Sequence, residues 1–382
     1  MHMKDFDLNA FLKDLETIVN IDSGFYYAPG VTQVADFLTA RYEALGLKVT
    51  RRYHEKDTEH VRPFLTVRNS KSETIDLLLI GHLDTVFPTG TAARRPFTMY
   101  PDGTGKGPGC IDCKGGLLIA LYLVEYLVKN ELLNFNLCVA MNADEENGSV
   151  YSADFIRELA QITGHCLVME PGRKNGEYVK QRKGSAHFLI ECEGISAHDG
   201  VNPQDGASAT LELARWALAL SELADEATGT TVNIGTLNGG SAYNIVADSA
   251  SMNVHVRSFD AASLIAIKTR VAEMAQHPFN PRCRIRAHVQ SERVPVVPSK
   301  ETMKMIAMME EAGIEAGHPV AAIQTGGGSD GSFFAEFGVP LMDGCGPKGA
   351  NLHSEREYID TTTVEARIDI LLGLVKRLFP GK

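Results

Sequence analysis

The 382-residue sequence predicts an α/β fold, a mostly parallel sheet flanked by helices, with a smaller α+β domain inserted into it. In both terminal parts, short apolar runs alternate with amphipathic helical patterns, which is typical of a parallel sheet covered on both faces. In the middle, the order changes to strand, helix, strand, strand, helix, strand, that of a ferredoxin-like unit. We therefore predict one domain over 1–182 and 291–382 and a second over 183–290.

The elements of the first domain follow from apolar periodicity. The clearest is the helix over 115–129, where Leu117, Leu121 and Val124 recur on one side. The other helices are predicted over 7–20, 30–45, 152–161, 301–317, 332–337 and 361–379, and the strands over 65–68, 75–81, 137–141, 166–169, 321–325 and 340–342.

The inserted segment has its own sequence of elements. Strands are predicted over 185–193, 231–237, 249–257 and 282–289, and helices over 205–220 and 261–276. This order of elements predicts a ferredoxin-like arrangement for the segment.

Composition excludes several classes of protein. A hydrophobic content of 44% allows a large core, and a net charge of -11 argues against a nucleic-acid partner. No apolar run is long enough to span a membrane, and the N-terminal residues lack the pattern of a secretory signal. Seven irregularly spaced cysteines are typical of reduced thiols, so a cytoplasmic location is expected.

Polar residues follow two of the apolar strands. Glu145 and Glu146 come after the strand over 137–141. Burial of carboxylates there costs free energy unless a positive charge compensates them. One glutamate could bind a metal ion while the other acts as a general base. His82 and Asp84 follow another strand and share a face, so one could be a ligand and the other its supporting carboxylate.

Three further residues extend this set. Asp112 lies in a glycine-rich loop, where it could cap the next helix or bridge two metal ions. Glu170 follows another strand, and His353 lies in a loop, where a lone histidine is usually incidental. The combined set gives a nitrogen and oxygen ligand shell for two divalent ions, zinc most simply, with cobalt or manganese as alternatives: His82, Asp112, Glu146, Glu170 and His353.

Cys110 and Cys113 form a C-x-x-C motif in the same glycine-rich loop. Such a pair could bind zinc or act in redox chemistry. No second pair and no suitably spaced histidines follow it, and structural zinc usually takes four such ligands. We therefore expect a metal shell without cysteine.

These stretches, in this order, resemble the co-catalytic dizinc metallopeptidases, a family that includes glutamate carboxypeptidase, peptidase T, acetylornithine deacetylase and succinyl-diaminopimelate desuccinylase. The resemblance is closest to glutamate carboxypeptidase and extends from Gly81 to the C-terminus. It rests on the diglutamate stretch 142–149, on 169–171, and on the C-terminal stretches 325–330 and 352–360.

The resemblance implies a role for each residue of the set. His82 and Glu170 would ligate one ion and Glu146 and His353 the other, and Asp112 would bridge them. Glu145 would be the general base, and Asp84 would support His82. The segment over 183–290 would be a lid through which the protein forms a homodimer.

The resemblance also implies recognition residues in and after the inserted segment. His198 would reach the partner subunit's site and hold the developing oxyanion, although Asp199 departs from the family's His-Ala-Gly and the residues alone predict a plain turn. An acidic neighbour would favour a charged imidazole. The expected substrate-binding residues are Asn244, Arg257, Arg293, Gly327 and Gly328, with a surface arginine an equal alternative for Arg293.

The expected function is a metal-dependent hydrolase that cleaves an amide bond next to a free carboxylate, most simply an exopeptidase that releases a glutamate-like C-terminal amino acid. An N-acyl-amino-acid deacylase or a dipeptidase is the alternative, and a non-catalytic metal-binding protein or a dimetal phosphoesterase is more remote. The substrate would be a peptide or an N-acyl-amino acid.

Overall fold

A computed structural model describes residues 6–54 and 61–381, which form two compact units. The larger unit extends to Lys180 and includes Pro298–Gln324 and the residues from Ser329 onward, and the smaller unit comprises Gln181–Val297 with Thr325–Gly328. The helices are α1 (Leu8–Val19), α2 (Ala28–Ala44), α3 (Thr91–Arg94), α4 (Lys114–Lys129), α5 (Ala153–Ala160), α6 (Ala209–Ser221), α7 (Ala261–Gln276), α8 (Lys300–Glu315), α9 (Gly331–Ala335) and α10 (Val364–Leu378).

The strands are β1 (Lys48–Tyr53), β2 (Pro63–Arg68), β3 (Ile75–His82), β4 (Thr98–Met99), β5 (Thr104–Lys106), β6 (Leu137–Asn142), β7 (Thr163–Val168), β8 (Tyr178–Arg182), β9 (Gly184–Glu193), β10 (Thr231–Gly239), β11 (Ser249–Ser258), β12 (Arg284–Arg293), β13 (Ala322–Thr325), β14 (Leu341–Met342), β15 (Gly349–Ala350) and β16 (Tyr358–Asp360). Among the described residues, no helix has the length and apolarity needed to cross a bilayer.

The main sheet of the larger unit has the strand order β1-β2-β6-β3-β7-β14. The four strands from β6 to β14 are parallel, whereas β2 pairs antiparallel with β6 and β1 antiparallel with β2. The predicted mostly parallel sheet is therefore confirmed. β1 was not predicted, because this polar edge strand lacks the apolar pattern of a buried one.

The carboxyl ends of three central strands meet at one edge of this sheet. His82 of β3 pairs with Asn142 of β6, and Ile80 pairs with Val168 of β7. The loops that follow these strands therefore begin side by side. In open α/β sheets this edge is where ligands bind.

A second, antiparallel sheet in the larger unit has the order β15-β16-β5-β4. Its pairing places the loop after β5, which contains Asp112, beside the loop between β15 and β16, which contains His353. These strands have two or three residues each, too few for a periodic pattern, and the sequence analysis did not predict them.

The smaller unit is an antiparallel sheet of order β10-β11-β9-β12 with helices α6 and α7. Its chain order, β-α-β-β-α-β, confirms the ferredoxin-like arrangement. Buried and part-buried residues alternate along β9 and β11, with Phe188 and Val254 among those in the core around Trp216. β12 continues to Arg293, three residues past the predicted domain boundary at 290. The role of this unit as a lid stays a prediction.

Two helices begin later than expected because side chains cap them. Helix α6 begins at Ala209 instead of 205, since the Ser208 hydroxyl accepts a hydrogen bond from the Leu211 backbone. Asp360 caps a short 3₁₀ turn over 361–363, so α10 begins only at Val364.

We expect Leu79→Ala, at a fully buried position in β3, to lower the free energy of unfolding by about 2–5 kcal/mol, because truncation leaves a cavity in the sheet core. The matched control is Ile314→Ala in α8 of the same unit, where the side chain is 67% exposed and the change should stay within about 0.5 kcal/mol. Denaturant unfolding measures both. Equal losses in the two variants would contradict the assignment of the core.

Candidate metal centre

The histidine at the end of β3 faces two carboxylates. His82 Nε2 lies 3.2 Å from Asp112 Oδ1 and 3.4 Å from Glu170 Oε1. On the other side of the ring, Nδ1 lies 3.0 Å from the Asp84 carbonyl oxygen and 3.5 Å from its carboxylate. The carbonyl can only accept, so Nδ1 carries a proton, and Nε2 is the ring nitrogen that faces the two carboxylates.

A second histidine repeats this arrangement from another loop. His353 Nε2 lies 3.2 Å from Asp112 Oδ2 and 3.2 Å from Glu146 Oε2. The two oxygens of Asp112 thus face two different imidazoles, each of which faces one further carboxylate. Five side chains that are up to 271 positions apart in sequence converge in this way, from His82 to His353. Asp112 does not cap α4, which begins after Cys113 without a side-chain cap.

Asp84 has a function that its spacing from His82 did not reveal. Its carboxylate accepts hydrogen bonds from the backbone N–H groups of Glu145, at 3.3 Å, and Glu146, at 3.1 Å. It therefore fixes the short 3₁₀ turn that carries the two glutamates, in addition to contacting the His82 ring. A single buried carboxylate holds two parts of the site together.

The pKa shifts of these groups have a common cause. Burial would lower the pKa of His82, but Cys113, Asp112, Asp84 and Glu170 raise it well above its ordinary value. Hydrogen bonds to Asp112 and Glu146 raise the pKa of His353 to about 10. The cluster contains more carboxylates than imidazoles, so its net negative charge favours a positive charge at its centre.

Two pKa shifts on the carboxylate side agree with this. Burial raises the pKa of Glu146, and the nearby Asp112 charge adds to the shift. Burial would also raise the pKa of Asp112, but hydrogen bonds to His353 and His82 hold it well below the usual range.

A divalent cation fits this cluster. Among the described residues, Glu146 Oε1 is buried and has no hydrogen-bond partner, a costly state for a carboxylate oxygen. His82, Asp112 and Glu146 offer ligand atoms within 4.8 Å of one another. Carboxylate and imidazole donors are those that zinc and similar ions take.

Cys113 lies beside the cluster, within 4.8 Å of ligand atoms of His82 and Glu170. Its Sγ donates to the Met169 carbonyl at 3.2 Å, whereas Cys110 Sγ faces the Gly105 carbonyl at 3.7 Å. Both thiols are free and point to different carbonyls, which does not favour the redox or zinc interpretation of the C-x-x-C motif.

Glu357 is a buried carboxylate to which the sequence analysis assigned no role. It accepts backbone N–H groups of Gly109, Ile111 and Asp112 at 3.0, 3.1 and 3.2 Å. Burial and the Asp112 charge raise its pKa to about 7, against the effect of these hydrogen bonds. Its position four residues after His353, in a stretch already noted for its resemblance, was the one available signal.

The smaller unit places the two predicted substrate-binding arginines together. Arg257 of β11 and Arg293 of β12 both pair with Ser185 of β9, so they lie on either side of it. Burial and the neighbouring Arg293 charge lower the pKa of Arg257. Guanidinium groups are the donors best suited to the recognition of a carboxylate.

The glycine segment of the smaller unit is fixed by its carbonyl groups. Arg182, which is buried, donates to the carbonyls of Gly327 at 3.3 Å and Gly328 at 3.1 Å, and Arg257 donates to that of Gly326 at 2.7 Å. In a trans peptide the N–H points opposite to the C=O, so the N–H groups of Gly327 and Gly328 face away from these arginines. No sequence motif indicated this role for Arg182.

The loops that carry His198 and Asn244 lie side by side in the smaller unit. The Asp199 backbone N–H donates to the Asn244 carbonyl at 3.3 Å, and the Gly200 N–H donates to His198 Nδ1 at 3.1 Å. The Asp199 carboxylate lies farther from the same Nδ1, at 3.4 Å. Because Nδ1 accepts from Gly200, Nε2 is the ring nitrogen that can donate, and the Asp199 carboxylate is an acidic neighbour of the ring as expected from the sequence.

We expect Cys113→Ser to retain the full metal content, because the thiol proton is directed to the Met169 carbonyl and the predicted ligand shell contains no sulfur. Glu170→Gln, the matched change at a ligand position, should lower the content by one ion per chain. Elemental analysis measures both. A thiolate-to-cobalt absorption band in the cobalt-loaded wild type that disappears in Cys113→Ser would contradict a shell without cysteine.

Comparison with known proteins identifies the family of this chain. The model of "Peptidase family M20/M25/M40" matches residues 78–377. Carboxypeptidase G2 from Pseudomonas sp. (strain RS-16) is 30% identical over 98% of this chain and 90% of its own length, and succinyl-diaminopimelate desuccinylase from Nitrosospira multiformis is 26% identical over 86% and 89%. The solved structure of aminopeptidase PepT from Bacillus cereus has the same fold, with a TM-score of 0.80 at 21% identity over 97% of this chain and 99% of that one. The chain therefore belongs to peptidase family M20/M25/M40 and is a metal-dependent hydrolase.

Proposed function

We propose that this hydrolase uses two zinc ions to cleave an amide bond next to a free carboxylate, as a carboxypeptidase that releases a glutamate-like C-terminal amino acid. The observation that carries the proposal is Asp112, whose two oxygens face different imidazoles at 3.2 Å each. A carboxylate that bridges two metal ions must offer one oxygen to each ion, and the two oxygens of Asp112 face two separate histidines.

In this proposal, His82 and Glu170 would hold one ion, Glu146 and His353 would hold the other, and Asp112 would contribute one oxygen to each. When bound, such ions polarise the substrate carbonyl and lower the pKa of water towards neutrality. Zinc suits the donor set most simply, and cobalt or manganese could replace it.

Glu145 is the proposed general base. It lies beside Glu146 on the turn that Asp84 fixes, and it is not among the proposed ligands of either ion. It would accept a proton from the attacking water and pass that proton to the departing amine. Asp84 would support this step by holding the turn and the His82 ring in place.

The smaller unit would recognise the substrate. Arg257, Arg293 and Asn244 would bind the carboxylate next to the scissile bond, and the outward N–H groups of Gly327 and Gly328 would contact the substrate backbone. The proton on His198 Nε2 suits donation to the developing oxyanion. The paired arginines support a substrate with a free carboxylate.

Two observations bear on the choice of substrate. The 30% identity to carboxypeptidase G2 supports the carboxypeptidase. The 26% identity to a succinyl-diaminopimelate desuccinylase supports an N-acyl-amino-acid deacylase as the second candidate. A dipeptidase would use the same centre.

The smaller unit would also serve as the lid and the homodimer interface, as expected from the family. A cytoplasmic location agrees with seven cysteines that are all free, since thiols stay reduced in that compartment.

We expect Glu145→Gln to keep both metal ions but to lower kcat by about 10²–10⁴-fold, because proton transfer is lost. Glu146→Gln, the matched change at the adjacent position, should instead lower the metal content. Steady-state kinetics with elemental analysis separates the two effects. Wild-type turnover by metal-replete Glu145→Gln would remove Glu145 from the role of general base.

The substrate class is tested by turnover of N-acyl-glutamate, N-acyl-ornithine, succinyl-diaminopimelate and dipeptides after reconstitution with zinc. The carboxypeptidase proposal predicts the highest kcat/KM for N-acyl-glutamate, and Arg257→Gln should raise KM for it more than it lowers kcat. Preference for N-acyl-ornithine or succinyl-diaminopimelate would favour the deacylase instead. A phosphate ester that turned over while the amides did not would contradict amide cleavage.

A further inference from the structure

Glu357 connects the two loops that meet at the candidate metal centre. It belongs to the loop that carries His353, and its side chain is fully buried. Its Oε1 accepts from the N–H groups of Ile111 and Asp112, and its Oε2 accepts from that of Gly109. One carboxylate thus accepts three backbone hydrogen bonds from a single loop, and the last of these donors is the N–H group of Asp112 itself.

The Asp112 loop is shaped to enclose this carboxylate. Gly109 has a φ of +70°, a conformation that glycine adopts without strain. A Cβ at this position would lie 2.6 Å from Thr85 Cγ2, so no larger residue fits the turn. The glycine lets the backbone curl until its N–H groups converge on Glu357.

The His353 loop is also held in one conformation. Asn351 and His353 have φ values of 63° and 58°, in the left-handed region that is uncommon for residues other than glycine. Ser354 Oγ donates to the Asn351 carbonyl at 2.7 Å, and Asn351 Nδ2 donates to the Arg356 carbonyl at 3.2 Å. Such a conformation persists only where the surroundings fix it.

We propose that Glu357 is a positioning residue that sets the separation of Asp112 and His353, and thereby the affinity and geometry of the ion that these two residues share. It contacts neither substrate nor metal and acts through the backbone of the Asp112 loop. The inference rests on the proposed dizinc function. A carboxylate that fixes ligand loops in this way is an outer partner of the metal, and loss of such partners typically weakens binding.

A purely structural role would predict a different result, and the chain offers a matched control for it. Glu212 in the smaller unit is also buried, and it too accepts three N–H groups, from Trp216 Nε1 at 3.2 Å and from the backbones of Phe279 and Asn280 at 2.8 Å each. Its carboxylate lies in the ferredoxin-like core and holds no predicted ligand. Removal of either carboxylate leaves three donors unpaired, but only one set belongs to the Asp112 loop.

The test compares the full-length wild type with Glu357→Ala, Glu357→Gln, Glu212→Ala and Glu212→Gln. Each protein is stripped with a chelator and titrated with zinc against a chromophoric competitor, and the cobalt-loaded forms are compared by visible absorption. Glu357→Ala should weaken binding of one ion by about 10–100-fold and shift the cobalt spectrum. Glu357→Gln, whose amide oxygen still accepts two of the three N–H groups, should recover part of the affinity and covers the case in which the alanine variant does not fold.

The Glu212 variants should lower the melting temperature but bind zinc as the wild type does. At saturating zinc, Glu357→Gln should lower kcat with little change in KM, because the metal geometry and not the substrate contacts is altered. Wild-type zinc affinity and cobalt spectrum in both Glu357 variants would overturn the inference, as would an equal loss of affinity in the Glu212 variants. A wild type that fails to bind two zinc ions would overturn the proposed function itself, and the inference with it.

Discussion

The structure of the larger unit depends on a concentration of buried carboxylates at one edge of its sheet. Asp84, Asp112, Glu146 and Glu357 are all largely removed from water, where their charge is costly unless it is compensated. The protein compensates in two ways: imidazoles meet the carboxylates at the centre, and backbone N–H groups meet those around it. This excess of negative charge is what makes the centre suitable for divalent cations.

The outer carboxylates explain how the loops stay in place. Asp84 accepts from the turn that carries Glu145 and Glu146, and Glu357 accepts from the loop that carries Asp112. In both cases a charged acceptor satisfies backbone donors that would otherwise be buried without partners. Loops are usually the mobile parts of a fold, and here hydrogen bonds to buried charges make them part of a rigid scaffold.

The two units concentrate different kinds of chemistry. The acids and imidazoles that suit metal binding belong to the larger unit, whereas the smaller unit contributes the paired arginines, the glycine segment and His198. In the smaller unit, the positive charge of Arg182 and Arg257 orients peptide groups through their carbonyl oxygens. The proposed catalytic and recognition residues thus belong to different units and could change separately, which is consistent with a family that includes both a carboxypeptidase and a desuccinylase.

The sequence by itself determined the fold class and the family, and it supplied the residues that meet at the candidate metal centre. Strand patterns such as that over 137–141 come from local periodicity, and His82, Glu146 and Glu170 each follow a strand that the pattern reveals. Asp112 and His353 lie in loops and were identified by their motifs. Periodicity failed for β1, because a polar edge strand buries little, and for β4, β5, β15 and β16, because each is too short.

Only the tertiary structure decided how these residues meet. It showed that the two oxygens of Asp112 face different histidines, that Asp84 holds the diglutamate turn, and that Glu357 and Arg182 fix backbone segments far away in sequence. Residues such as Glu357 act by accepting backbone N–H groups, and every residue except proline offers one, so no motif at the partner position marks the contact. Whether a carboxylate such as that of Glu357 is buried against backbone N–H groups or exposed to solvent therefore depends on how the chain packs, which local sequence does not encode.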